Sequence, residues 1–354
     1  MAAGKTSVAS IDDLLKRAVK DGASDLHIVA NLPPILRIDG DLHEISGTPR
    51  LAPADTQRLI AAMLTPPLRE KFETNKDLDM SYEVAGISRF RVNVHYERGH
   101  VGLVARVISH EIPTLEHLMM PPVVYDLIRL RQGLILVTGP TGCGKSTSLA
   151  GMINFINSER RAHIVTLEDP IEFIYEPIRC IIRQRQLGSD MRSFAEGLKH
   201  VLRQDPNVIL VGEMRDLETI ASTITLAETG HLVLATLHTL NAAQTVDRII
   251  DVFPPYQQPQ VRLQLSLFLR GIISQQLVQR AVGGRVAARE VLINTPAIGN
   301  LIRENKIAQI KSAIQTSADE GMFTMDQDLK RLLEKGEITR EAALAHMLNP
   351  EMLS

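Results

Sequence analysis

Apolar positions change their period along the chain, and the changes mark out its organisation. Ile11 to Val19 carries apolar residues at helical spacing, with Asp12 and Asp13 near the positive end of the dipole, which predicts an opening helix. After Gly22, Asp25-Leu26-His27-Ile28-Val29 reads as a strand. Pro33-Pro34 interrupts it, and Ile35 to Ile38 resumes before an Asp39-Gly40 turn, a hairpin signal. Helices are predicted from Pro53 to about Met63 and on to Phe72. From Ser88 to Val107 the period is two: Arg89, Arg91, Asn93 and His95 alternate with Phe90, Val92, Val94 and Tyr96. That alternation puts a polar set on one sheet face and an apolar set on the other. Gly99 marks the turn, and Gly102 to Val107 returns as the partner strand carrying Arg106. Residues 1–112 therefore read as a small α+β domain, and 113–122, bounded by Pro113 and Pro121-Pro122, as a linker.

From Gly133 onward, short apolar runs alternate with helical stretches. Leu134 to Val137, Ile164 to Leu167, Val208 to Val211 and Leu232 to Leu237 are largely apolar on both faces, as strands covered by helices require. Strand–helix alternation at this spacing predicts a mainly parallel α/β sheet over 123–297. Residues 298–354 read as helical, with an amphipathic Met325 to Leu333 stretch and a short terminal helix.

Composition narrows the classes. The 354 residues carry 39 Lys+Arg against 41 Asp+Glu, a net of −2, which disfavours a protein that coats nucleic acid. A 44% hydrophobic content excludes whole-chain disorder. No apolar run reaches the ~18 residues a membrane-spanning helix needs, and Met1 to Lys16 has no secretory pattern. Cys143 and Cys180 make neither a disulfide framework nor a four-thiolate zinc site. The expectation is a cytoplasmic, two-domain protein.

Gly139-Pro140-Thr141-Gly142-Cys143-Gly144-Lys145-Ser146 matches the GxxxxGK[ST] phosphate loop, between a predicted strand and a predicted helix. The glycines let backbone N–H groups converge on phosphate oxygens, and the helix start adds its positive end. Lys145 is placed for the β and γ phosphates of ATP and the Ser146 hydroxyl for Mg²⁺; Thr147 follows in the same turn. Glu213, just past the strand Val208 to Val211, falls at the ligand-bearing edge, where it would hold waters on Mg²⁺ or orient the attacking water. Glu168, Asp169 and Glu172 put three carboxylates in five residues, which repel unless solvent or a cation compensates. A Mg·ATP site is one reading of that box and a solvated loop the other. His231 and His238 flank a strand expected to end on the same edge, either sensing the γ phosphate or packing. Arg179, Arg183, Arg185, Arg192, Lys199 and Arg203 lie near an apolar stripe of Phe194, Leu198, Val201 and Leu202. They are either a solvated face or phosphate contacts across a subunit boundary, and Arg89, Arg91 and Arg106 present the same choice.

Taken together, Gly139–Ser146, Leu167-Glu-Asp-Pro-Ile-Glu172, Leu202-Arg-Gln-Asp-Pro206, Val211-Gly-Glu-Met-Arg-Asp216, Thr229-Gly-His-Leu232 and Thr236-Leu-His-Thr239 resemble the secretion ATPase superfamily, the type II secretion and type IV pilus motors. The likeness runs from Gly22-Ala-Ser-Asp-Leu-His27 to Ile298-Gly-Asn-Leu-Ile-Arg-Glu304 and is strongest to the pilus-retraction branch that powers twitching motility. It implies a PAS-like N-terminal domain and a RecA-like ATPase domain assembled as a homohexamer. It also implies that Glu172 activates water, that Glu213 serves at the Walker B strand, and that His231 and His238 form the His box. Arg89, Arg91 and Arg106 become candidates to contact nucleotide. Implied partners are an inner-membrane pilus platform protein and a paralogous retraction ATPase, with membrane attachment through proteins, no direct insertion and no nucleic acid.

Three positions depart from the family pattern. Gly299 stands where Arg is usual in a segment tied to retraction, and as a helix residue it costs about 1 kcal/mol against Ala. Cys143 replaces Ser or Thr, and a thiol beside a lysine and a helix start is expected to oxidise easily. Gln186 stands where Glu is usual. The alternatives are an accessory retraction ATPase, to which Gly299 is relevant, and a pilus-assembly or secretion ATPase. The latter commonly carries a further N-terminal domain and a four-cysteine insertion. From other classes, a nucleotide-gated scaffold conflicts with the pair Glu172 and Glu213, and a DNA translocase with 4% aromatics.

Overall fold

The structure, a computed structural model, describes residues 10–38, 40–108 and 111–353, so Asp39 of the expected turn lies outside the described residues. The chain divides into two compact units, Met1–Glu111 and Ile112–Ser354.

In the first unit, α1 (Ile11–Lys20) opens on a capping box: the Ser10 hydroxyl accepts from the Asp13 N–H, and the Asp13 carboxylate accepts from the Ser10 N–H. Its Leu14, Leu15 and Ala18 are buried. The strands are β1 (Asp25–Ile28), β2 (Ile35–Ile38), β3 (Asp41–Glu44), β4 (Asp77–Val84), β5 (Ser88–Glu97) and β6 (His100–Ile108), all paired antiparallel in the order β3-β2-β1-β6-β5-β4. Between β3 and β4 lie α2 (Pro53–Ala61) and α3 (Pro66–Asn75), the second stopped by left-handed Lys76. The alternation on β5 holds for Phe90, Val92 and Val94, which are buried. It fails at Tyr96, whose exposed ring stacks on Phe72 at 5.0 Å near the strand end.

In the second unit the expected linker is not a free connection. Leu115 and Met120 are buried, and Leu115, Leu118 and the Pro113 carbonyl crowd Gly151 so closely that an added Cβ would lie 3.1 Å from each. After α4 (Pro122–Arg129) come β7 (Gly133–Thr138), α5 (Lys145–Glu159), β8 (His163–Glu168), β9 (Ile181–Gln186), α6 (Phe194–Val201), β10 (Val208–Val211), α7 (Leu217–Glu228), β11 (Leu232–Leu237), α8 (Ala242–Asp251), α9 (Gln258–Phe268), β12 (Leu269–Gln279) and β13 (Arg285–Ile293). The sheet order is β13-β12-β7-β11-β10-β8-β9, parallel throughout except for the β12–β13 hairpin. Every residue of β7, β10 and β11 is buried, which explains their unbroken apolar runs. Leu202 leaves the expected stripe: it sits in a 3-10 turn after α6 and is exposed.

The chain ends in α10 (Pro296–Arg303), α11 (Ile310–Thr316), α12 (Met325–Glu334) and α13 (Arg340–His346). Leu329 and Leu332 of α12 share a core with Val278, Val286 and Ala288 of the β12–β13 hairpin. Arg289 of β13 is buried there; it donates to the Leu118 and Met119 carbonyls, and its backbone N–H donates to Asp328. Burial, opposed by Asp328, pulls its guanidinium down to about 10. Among the described residues no helix is long and apolar enough to cross a membrane.

Candidate functional site

The phosphate loop sits at the carboxyl end of β7, beside a strand that runs past it. Ser274 of β12 pairs with Thr138, and their hydroxyls lie 2.8 Å apart. One residue on, buried Gln275 donates to the Cys143 carbonyl at 2.8 Å and accepts from the Ser148 hydroxyl at 3.0 Å. Gly139 has φ 142°, and a Cβ there would lie 2.3 Å from the Gln275 carbonyl oxygen, so only glycine fits. Gly142 and Gly144 also have positive φ, and Gly144 leads directly into α5, which carries Lys145, Ser146 and Thr147 in its first turn. Pro140 and Thr141 are exposed on the loop. This is a cradle of backbone N–H groups at a helix start, the geometry that suits a phosphate chain.

The Lys145 ammonium donates to the Gly139 and Pro140 carbonyls at 2.8 and 3.0 Å. Burial pulls its pKa down, opposed by Cys143, Glu213 and Glu172. It also lies 3.4 Å from His238 Nδ1, while His238 Nε2 is 3.2 Å from Glu213. An ammonium can only donate, so Nδ1 accepts and Nε2–H points at the Glu213 carboxylate. Arg215 closes the chain, 2.8 Å from Glu213 and 4.0 Å from Asp169. Burial pushes Glu213 up, but Arg215 and His238 together outweigh it and hold the carboxyl below its ordinary range. Lys145, His238, Glu213, Arg215 and Asp169 thus form one line of partners across the ends of four strands, β7, β11, β10 and β8.

The acidic box does not act as one cluster. Glu168, at the end of β8, is turned inward, where it accepts from Thr166 and Gln184, and burial pushes its pKa up. Asp169 faces Arg215, and Glu172 is exposed, near enough to Lys145 for its charge to be felt. Burial with hydrogen bonds is thus a third outcome beside the Mg·ATP site and the solvated loop. Among the described residues no three His, Cys, Asp or Glu side chains are placed to hold a metal ion. Mg²⁺ fits this donor set only as one hydroxyl, Ser146, with phosphate oxygens and water, which matches an ion that keeps much of its hydration shell.

Two expectations are corrected. His231 does not share the edge with His238: it precedes β11, at the opposite end of the strand, with Nδ1 3.0 Å from the Leu226 carbonyl. In a parallel sheet the two ends of one strand cannot serve one phosphate site. Cys143 is not poised for oxidation, because its side chain turns under the loop and burial pushes the thiol pKa up.

On the first unit, Arg106 pairs with Arg91 on one side and Asp25 on the other, and Asp25 pairs with Arg37. Arg106 Nε lies 2.9 Å from Asp25, and Arg89, two residues along β5 from Arg91, donates to Ser81. One sheet face therefore presents Arg89, Arg91 and Arg106 together. In the second unit, Arg179 and Arg185 donate to the Glu159 and Asp190 carbonyls, so part of that basic set is used within the chain. Sequence reasoning assigned no role to Arg215 or Gln275. Arg215 lies inside the Met-Arg-Asp motif and was legible; Gln275 carries no local signal.

Residues 3–284 match the family of type II/IV secretion system proteins. The chain belongs to this family. It is 48% identical over 341 residues to the type IV pilus retraction ATPase PilT of Pseudomonas aeruginosa, covering 96% of this chain and 99% of that one. It is 44% identical over 336 residues to the type IV pilus ATPase PilU of the same organism, covering 95% and 88%. A crystal structure of the pilus retraction motor PilT with bound ADP superposes with a TM-score of 0.91 at 47% identity, covering 97% of this chain and 98% of that one. The α/β architecture with its two sheets is therefore that of a secretion and pilus family member.

Proposed function

We propose that the chain is an ATP-hydrolysing, homohexameric motor that drives type IV pilus retraction, with a PAS-like first unit and a RecA-like second unit. The observation that carries the reading is the contact line from Lys145 through His238 to Glu213 at the lip of a glycine cradle. Lys145 is held on loop carbonyls from which it can turn to a γ phosphate, and His238 ties that lysine to Glu213. Glu213, kept ionised by Arg215 and His238, suits holding the water shell of Mg²⁺, and exposed Glu172 suits accepting a proton from the attacking water. Mg²⁺, bound at Ser146, supplies neutralisation of phosphate charge. Arg89, Arg91 and Arg106 supply a guanidinium face for phosphate. Loss of the γ phosphate removes its contact with Lys145, so the balance between conformations shifts on hydrolysis, which is how a nucleotide site does work.

The reading is supported by 48% identity to PilT along nearly all of both chains. The similarity to PilU keeps an accessory retraction role as the second reading. The expected location is cytoplasmic, docked at the inner membrane through a platform protein. Lys145→Ala is expected to lose nucleotide binding and hydrolysis, while Glu213→Ala keeps binding and loses turnover. Wild-type ATPase rates in both variants would reject the assignment.

A further inference from the structure

Glu172 stands on a stretch with no regular structure, and the means by which that stretch is held points to residues with no assigned role. Among the described residues, no backbone–backbone hydrogen bond reaches Pro170 to Ile178. Side chains take the place of a ladder, Gln186 and Asn157 buried and Gln184 half-buried. The Gln186 carboxamide oxygen accepts from the Ile171 N–H at 3.3 Å. The Glu172 N–H lies near enough to the Glu168 carboxylate to oppose the rise that burial gives its pKa. The Gln184 carboxamide donates to the Phe173 carbonyl at 2.7 Å and accepts from the Tyr175 N–H at 3.1 Å, so it bridges the backbone on both sides of Ile174. The same NH₂ group donates to Glu168 at 3.2 Å. Farther along, Asn157 of α5 donates to the Glu176 carbonyl and accepts from the Ile178 N–H.

Backbone groups withdrawn from water need partners, and here they come from the side chains of β9 and α5. Such a tie is directional. Gln184 offers a donor and an acceptor in one plane, so the backbone at Phe173 and Tyr175 is fixed in spacing as well as in place. A carboxylate at either glutamine position would accept but not donate. At Gln184 it would also set a charge beside buried Glu168.

We infer that Gln184, backed by Gln186, is a positioning residue for Glu172: the two β9 carboxamides act as a staple that holds the Glu172 segment at the distance the attacking water requires. This rests on the reading of Glu172 as the water-activating carboxylate. Gln186 also gains a role as a neutral acceptor for Ile171 in a neighbourhood already crowded with Glu168, Asp169 and Glu172. Since the phosphate loop is held separately by Gln275, loosening the staple alters turnover and leaves nucleotide affinity in place.

The test is Gln184→Met, similar in length and without either polar end. Expected are a kcat at least tenfold lower, a KM for ATP within threefold of wild type, and at least tenfold faster hydrogen exchange in peptides spanning 171–178, with α5 peptides unchanged. Gln184→Glu keeps the acceptor for Tyr175 and loses both donated bonds; where the Met variant does not fold, it carries the same expected loss of kcat. Wild-type kcat in either folded variant overturns the inference, as does a KM that rises in step with the fall in kcat. Glu172→Gln, measured alongside, separates the two ideas. If it retains turnover, the role of Glu172 fails, while unaltered exchange at 171–178 in the Gln184 variants is what removes the staple.

Discussion

Lys145, His238 and Glu213 come from the ends of three strands and meet because those strands are parallel and adjacent in the sheet, β7 beside β11 beside β10. Their chemistry depends on a fourth residue. Burial alone would raise Glu213, and Arg215 is the first of the opposing influences that bring it below the ordinary carboxylate value. The sign follows from that direction. A carboxyl whose folded pKa is depressed keeps its charge as pH falls past the unfolded value near 4.5, and the contribution of its pairing is lost only as pH drops through the folded value. Arg215→Leu removes the chief opposing partner and leaves burial to act, so Glu213 is expected to protonate at higher pH. The acid limb of the kcat–pH profile should then move upward, with the alkaline side unaltered; an acid limb that stays in place would separate Glu213 from the turnover step. The same residue-scale view explains the histidines. Both were visible as motif residues, but only the direction of β11, known once its neighbours are known, separates His238 from His231.

At the scale of elements, the strands of the second unit read from sequence were those with largely apolar runs, β7, β8, β10 and β11. The strands of that unit that escaped, β9, β12 and β13, carry Gln184 and Gln186, Ser274 and Gln275, and Arg289 and Glu290. A buried polar residue in a strand counts against burial until its partner is known, and here the partners are irregular loops and helix starts: the acidic box, the phosphate loop, and the α8 N-terminus, where Ala242 donates to Glu290. The elements that shape the site were hidden because they hold it. Gly299 shows a related gap between propensity and packing. It lies buried in α10, and a Cβ there would be 3.0 Å from the Ser266 carbonyl, which Asn294 already fixes by a hydrogen bond. Helix propensity favours Ala by about 1 kcal/mol, whereas overpacking against a fixed backbone costs about 1–3 kcal/mol. Gly299→Ala is therefore expected to lower stability by about 1 kcal/mol, read as a denaturation midpoint below wild type. A raised midpoint would mean that α9 and α10 separate easily, and that an arginine could be accommodated there.

For the whole molecule, the surface of the second unit bears on assembly. Ile178, Ile181, Tyr256, Leu263 and Leu267 are exposed on a chain whose net charge is only −2, so charge repulsion does little to keep copies apart. The arginine face of the first unit carries Arg89, Arg91 and Arg106, with Glu83 opposite Arg89; in the row of Arg91, Arg106 and Arg37, Asp25 is the carboxylate, so that row offers guanidinium groups to phosphate. In the proposed ring such a face meets a nucleotide bound by another copy, and the proposed site is then complete only in the assembly. That has a consequence for rates. Six copies of a 39.2 kDa chain make a particle of about 235 kDa. Light scattering with Mg·ATP is expected to find that mass, and the ATPase rate per chain should climb with protein concentration over the range in which the particle forms. Arg106→Ala should lower the rate of the assembled particle without lowering its mass. A 39.2 kDa species that hydrolyses ATP at a full, concentration-independent rate would show that one chain completes its own site, and the ring would lose its catalytic rationale.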